Sequence, residues 1–178
     1  MTRHRILYLL GAALISVVLL AVASNRATEI RYFTVGLSTT AGNHIHVERT
    51  IFDNEWWAAG GEVQGCWQEA GPTTGIFDKR LPRVARVRWH QLKGGMSYEA
   101  TVQLDEGLAR QAQRLPAVTA RHDNSTIKKI YLIIGMEPNG KVTVWLSNAP
   151  HENNLRGRVL HVVGEAQAVA VPQGVPLQ

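Results

Sequence analysis

Three groups of residues in this 178-residue chain have types and spacing that could do chemistry. The first is His44-x-His46-x-Glu48. On a strand, alternate residues share a face, so two imidazoles and a carboxylate would point the same way. Those are zinc ligands in type. The intervening Ile45 and Val47 are apolar, however, and a solvated strand face explains the same pattern, so no metal is expected. The second is Cys66, the one cysteine, beside Trp67. A thiol nucleophile needs a lowered pKa and a histidine close in space. A cysteine is otherwise a small buried apolar residue, and that is the reading preferred here. A single cysteine also excludes an intramolecular disulfide scaffold and cysteine-rich zinc modules. No G-x-S-x-G elbow, P-loop or dinucleotide fingerprint occurs. The expectation is a protein with no catalytic residue and no cofactor.

The third group suits binding. Lys79, Arg80, Arg83, Arg86 and Arg88 form a basic stretch. If it is a strand, Arg86 and Arg88 project together with His90 beyond them, either as a solvated face or as a docking stripe for an acidic protein or anionic lipid. Trp56, Trp57 and Trp67 put three of the five tryptophans within twelve positions. They form either a core cluster or a recognition patch. If one of Trp56 and Trp57 is buried, strand alternation turns the other outward, where an exposed tryptophan anchors a partner. The candidate partner-binding residues are therefore Trp56, Trp57, Trp67, Arg83, Arg86 and Arg88.

The elements that must position them read mainly as strands. Segments 29–37, 44–52, 83–92 and 97–104 alternate or carry apolar runs, with a break at Asp53-Asn54-Glu55. Trp56 to Gly61 reads as a strand end and bend. Glu69 to Pro82 reads as a loop, because Gly71, Pro72, Gly75 and Pro82 punctuate it. In 83–92, Ala85, Val87 and Trp89 face inward; Tyr98, Ala100, Val102 and Leu104 answer them across a Lys93-Gly94-Gly95 connector. Asp105 can cap a helix over 106–115 that buries Leu108, Ala112 and Leu115, with Pro116 as its stop. Ile127 to Met136 and Lys141 to Leu146 pair through Pro138-Asn139-Gly140, the clearest turn in the chain. A last strand runs from Arg158 to Val163, and the tail frays. The fold class is mainly β: an antiparallel β-sandwich, or a curled sheet packed on one short helix, of about seven or eight strands.

Ahead of this body, Arg3 and Arg5 precede Ile6 to Ala23, eighteen residues without a charge. The small-x-small triplet Ala21-Val22-Ala23 closes the run, as in a signal peptide. An uncleaved anchor fits equally, since eighteen helical residues rise ~27 Å, just under the thickness of a bilayer core. Either way residues 1–23 place the rest outside the cytoplasm. Ser24 stands where a lipoprotein would need a cysteine, so no lipid is attached by that route. Residues 24–170 form one domain, with 171–178 as a tail. The net charge of +5 comes from 19 Lys and Arg against 14 Asp and Glu, and the leader contributes two of those arginines. The remaining mild excess suits an anionic surface or acidic partner, and an exported chain is not expected to meet nucleic acid.

Gly60-Gly61 with Gly65-Cys66-Trp67, Val87-Arg88-Trp89 ahead of Tyr98-Glu99-Ala100, a helix, and the Tyr131 to Ser147 hairpin together resemble a bacterial family of small envelope proteins, the domain of unknown function 2931. The likeness spans Ile30 to Val163. The resemblance implies an envelope protein, in most members a lipoprotein, with no established catalytic residues to carry over. Some members are similar to immunity proteins encoded beside type VI secretion lipase toxins. This sequence departs from the pattern in lacking the lipid-bearing cysteine and in having Cys66 alone. The functional expectation is a periplasmic binding protein that neutralises a secreted lipase-type toxin. The alternatives are an envelope assembly protein and, less favoured, a metal- or thiol-dependent hydrolase.

Overall fold

The computed structural model describes residues 30–92 and 96–172. The leader, the Lys93-Gly94-Gly95 connector and the end of the tail lie outside the described residues. In chain order the strands are β1 (Tyr32–Thr39), β2 (His44–Phe52), β3 (Trp56–Gln64), β4 (Thr73–Phe77), β5 (Val84–Gln91) and β6 (Ser97–Gln103). After the helix α1 (Leu108–Gln113) come β7 (Val118–Ala120), β8 (Thr126–Ile127), β9 (Tyr131–Met136), β10 (Lys141–Ser147), β11 (Leu155–Arg156), β12 (Leu160–Gln167) and β13 (Val169–Val171). Two five-stranded sheets form, in the orders β12-β10-β9-β1-β4 and β13-β6-β5-β2-β3, with a small third sheet β11-β7-β8.

The mainly β expectation holds, with one short helix. More strands are present than alternation revealed. β4 lies inside the segment read as a loop, because a five-residue edge strand with Gly75 at its middle and only Ile76 buried carries almost no periodic signal. β3 runs on past Gly60 and Gly61. β7, β8 and β11 are two or three residues each, too short for a pattern to register. Among the described residues pairing is antiparallel except at one place: β1 lies parallel to β9, with Thr34 beside Tyr131 and Thr39 beside Met136.

The core sits between the two large sheets. The first contributes Phe33, Val35, Leu37, Leu132, Ile134, Met136, Val142, Val144 and Leu146; the second contributes Ile45, Val47, Phe52, Ala85, Val87, Trp89 and Val102. Trp89 is wholly buried and stacks on its cross-strand partner Tyr98 at 5.4 Å. The sheets meet at both sides. Phe33 of β1 lies 5.9 Å from Trp56 of β3, and a side chain at Gly164 of β12 would strike Gln103 and Val102 of β6. The last strands cross that corner, β12 pairing in the first sheet and β13 in the second.

Local chemistry explains the ends of the elements. Asp105 accepts hydrogen bonds from Gly107 N and the Gln111 amide, which starts α1 two residues later than the sequence suggests. Leu108, Ala112 and Leu115 are buried as a stripe. In the β9–β10 turn Gly140 takes φ +84°, and its N–H donates to Glu137 O at 3.0 Å.

The loop from Gly65 to Pro72 folds back over the outer face of the first sheet. Trp67 lies edge-on to Trp145 at 4.9 Å, and both rings cover Gly135, leaving no room there for a side chain. Tyr131, Ile133 and Leu160 complete this second small core. Gly71 N donates to Leu37 O, Ala70 N to Pro150 O, and the Arg158 guanidinium to Gln68 O, so the loop is held along its length.

Candidate functional site

The outer face of the second sheet carries most of the chemistry. Its geometry follows from one irregularity. The register of β2 against β5 shifts between Val47 and Arg49, which leaves Glu48 as an extra, exposed residue. Such a bulge switches which side chains point out. Upstream of it His44 and His46 face outward; downstream Arg49 and Ile51 do, while Thr50 and Phe52 are buried. Unbroken alternation would put Ile51 inward with Ile45 and Val47; the bulge turns it outward instead. It also explains Gly60: a side chain there would sit 1.9 Å from Val47 O and 2.5 Å from Glu48 O.

Three cross-strand rows result. The first runs Trp57, Ile51, Arg86, Thr101; the second Ala59, Arg49, Arg88, Glu99, Val169; the third Glu62, His46, His90, Ser97, Val171. In the second row Arg88 and Glu99 are direct partners. Arg88 Nε and Nη2 both donate to Glu99 Oε2, the first at 3.2 Å, and Arg86 Nη2 donates to Oε1 at 3.2 Å. Arg86 also reaches Asn54 Oδ1 at 3.4 Å. One carboxylate is thus shared by two arginines. Burial pushes the Glu99 carboxyl up, but the hydrogen bonds and charges of Arg88 and Arg86 outweigh it and hold the group below the usual carboxylate range.

This corrects the reading of Arg86 and Arg88 as a stripe projecting freely into solvent. Arg88 is only 5% exposed. It sits mid-sheet, with Arg49 beside it on β2 and Glu99 on β6, so its neighbours cover it. Its Nη1 and the Oγ of Ser97, also buried, have no hydrogen-bond partner.

The tryptophans separate as alternation requires. Trp56 points inward, part-buried and stacked on Phe52 at 4.3 Å. Trp57 points outward and is 62% exposed, on the same face as Arg86 and Arg88. Trp67 lies on the other sheet, in the small core over Gly135. Arg83 is exposed at the end of β5; its backbone N donates to Asp53 Oδ1 at 2.9 Å, and it lines an open cleft with Glu55, Asp78 and Lys79. Of the six candidates, the structure puts Trp57, Arg86 and Arg88 on one sheet face, Trp57 two strands from the arginines with Ile51 between, and disperses the rest.

His44, His46 and Glu48 do not converge. His44 Nε2 lies 3.3 Å from Glu62 Oε2, His46 stacks on His90 at 5.2 Å, and Glu48 is displaced by the bulge. Among the described residues no group of three or more His, Cys, Asp or Glu is placed to hold a metal ion. Cys66 is part-buried in the loop next to Trp67 in sequence, its thiol 3.6 Å from Leu37 O. Glu99 and Ser97 escaped the sequence reading. Counting back symmetrically from Lys93-Gly94-Gly95 would set Arg88 opposite Ala100 and His90 opposite Tyr98; the ladder is one residue out from that, pairing Arg88 with Glu99 and His90 with Ser97, so the connector alone did not reveal these partners.

Residues 23–173 match the family described as "Protein of unknown function (DUF2931)". No curated protein and no solved structure matches the chain. Among the described residues no helix is long and apolar enough to cross a membrane.

Proposed function

Because the chain belongs to the DUF2931 family, whose description carries no activity, we propose its function from the site: a non-catalytic, extracytoplasmic binding protein that engages another protein through the outer face of its second sheet. The observation that carries this reading is Trp57. A large ring left 62% exposed on a sheet face that also carries arginines already oriented by Glu99 has the composition of a binding hot spot. Little side-chain entropy is lost when such pre-ordered groups meet a partner. An export leader, as the sequence reading has it for residues 1–23, would put that partner in the cell envelope. Some members of the family are similar to immunity proteins, so a secreted lipase-type toxin is the first partner to test.

The experiment is affinity capture of the tagged full-length chain from detergent-solubilised envelopes, wild type against Trp57→Ala. The reading predicts a lipase-type protein at near-equal amounts with wild type and its loss with the variant. Capture that is unchanged by Trp57→Ala would remove this face from the interface. Recovery of resident envelope components in place of a toxin would point to an assembly role.

A further inference from the structure

Phe77 is the most exposed large apolar side chain among the described residues, at 67%, and Tyr32 beside it is 43% exposed. The two are register partners on β4 and β1, and their rings lie 4.8 Å apart. Both rings rest against Gly75, where a Cβ would stand 3.4 Å from Phe77 and 3.6 Å from Tyr32. The pair is therefore ordered, yet it belongs to neither core. It sits at one corner of the first sheet, on the edge strand β4 and at the end where the chain enters β1.

Three short stretches reach this corner, and each carries exposed cations. Arg31 precedes Tyr32, and its carbonyl accepts from Asp78 N at 2.9 Å. Lys79 and Arg80 follow Asp78. Lys128 and Lys129 lead into β9. Thr34 N donates to Ile130 O, and the parallel register carried two positions back from Thr34 and Tyr131 sets Lys129 beside Tyr32. Five basic residues thus flank the aromatic pair. Asp78 is among them, and Asp53 and Glu55 line the cleft next to it.

We propose that this corner is a membrane-docking surface that seats on the anionic headgroups of a lipid bilayer. Aromatic side chains favour the interfacial region, where a tyrosine hydroxyl stays at headgroup level, and lysines and arginines meet the lipid phosphates. An apolar centre with a basic rim has that chemistry. Chain length gives a second argument. The apolar run ends at Ala23, and seven residues separate it from Arg31, a reach of under about 30 Å when extended. With that run in a bilayer, the chain tethers this corner to the lipid surface. The surface is separate from the outer face of the second sheet and does not rest on the role proposed for it.

The test uses the full-length chain, held by its own apolar run in lipid nanodiscs of phosphatidylcholine, with or without added phosphatidylglycerol. Hydroxyl-radical footprinting reads the side chains. Met96 is the reference: it is 46% exposed and lies at the far end of β5, where Gln91 N donates to its carbonyl. A cation against an anionic leaflet favours docking about fivefold, so Tyr32 and Phe77 should oxidise at least about fivefold more slowly in the anionic discs, with Met96 unchanged. Lys79→Glu with Lys129→Glu should remove that protection and leave the thermal midpoint in place, since both side chains are exposed. Equal oxidation in the two discs, protection that survives the double replacement, or equal protection of Met96 would each overturn the proposal. Protection that rises with the number of copies per disc, whatever the lipid, would overturn it too and give the corner to a second copy of the chain.

Discussion

Arg88 and Glu99 face each other across the β5–β6 ladder, and the carboxylate orients the guanidinium while also holding Arg86. This pairing sets the electrostatics of the sheet face that Trp57 shares with the arginines. It joins structure to function, since the groups that would greet a partner are ordered before it arrives.

Removing the carboxylate should therefore be costly. Glu99→Ala leaves the Arg88 guanidinium buried without its charge partner, and breaking such a pair costs about 3 kcal/mol or more. The double replacement Arg88→Met with Glu99→Leu should cost less than Glu99→Ala alone, because no unpaired charge is left at that position. Urea denaturation of the three proteins checks the ordering. Equal or greater loss in the double variant would show that packing, not charge, dominates here.

The same pair sets a pH dependence. Glu99 titrates below its ordinary value of 4.5 when folded. A carboxylate depressed by folding contributes stability that is fully present above its unfolded value and is lost as pH falls through the folded one. Stability should therefore decline below about pH 4.5, and Glu99→Gln should flatten that part of the curve. Denaturation midpoints across the acid range measure it. An unchanged slope in Glu99→Gln would assign the acid sensitivity elsewhere.

Gly135 should tolerate no side chain. A Cβ there would lie 2.4 Å from the Trp145 ring and 2.8 Å from Trp67. Gly135→Ala should destabilise by about 1–3 kcal/mol, the range for overpacking a filled core. It should also loosen the 65–72 loop, read as faster labelling of the Cys66 thiol without denaturant. A stable variant with unchanged labelling would contradict the packing described.

Trp57→Ala should behave in the opposite way. An exposed ring contributes little to folding, so the thermal midpoint should reflect a change within about 0.5 kcal/mol. Its cost should appear only in partner capture. A large loss of stability would make Trp57 a structural residue rather than an anchor.

Much of this arrangement was legible in the chain. β2 begins and ends where alternation places it, at His44 and Phe52, and the buried set Ala85, Val87 and Trp89 follows from period two. The opposed fates of Trp56 and Trp57 follow from the same rule. What escaped were features that break the period or depend on distant segments. A bulge at Glu48 is one inserted residue, and nothing local distinguishes it from a continued strand until Gly60 on the neighbouring strand is seen pressed against it. Burial of Arg88 depends on which strands flank β5, and sheet order is not encoded in any one segment. Trp67 joined Trp145 rather than Trp56 because the loop carrying it folds onto the opposite sheet.

The parallel pairing of β1 with β9 governs how the chain acquires its shape. The residues that meet there stand 97 positions apart, as in the hydrogen bond from Thr39 to Met136 O. β1 emerges early in synthesis and must wait for β9 with one edge bare, and pairings so distant in sequence form slowly. An apolar strand waiting in that way is a template for wrong association. Production of the protein should accordingly depend on a holding chaperone during the interval before Tyr131 to Met136 is available.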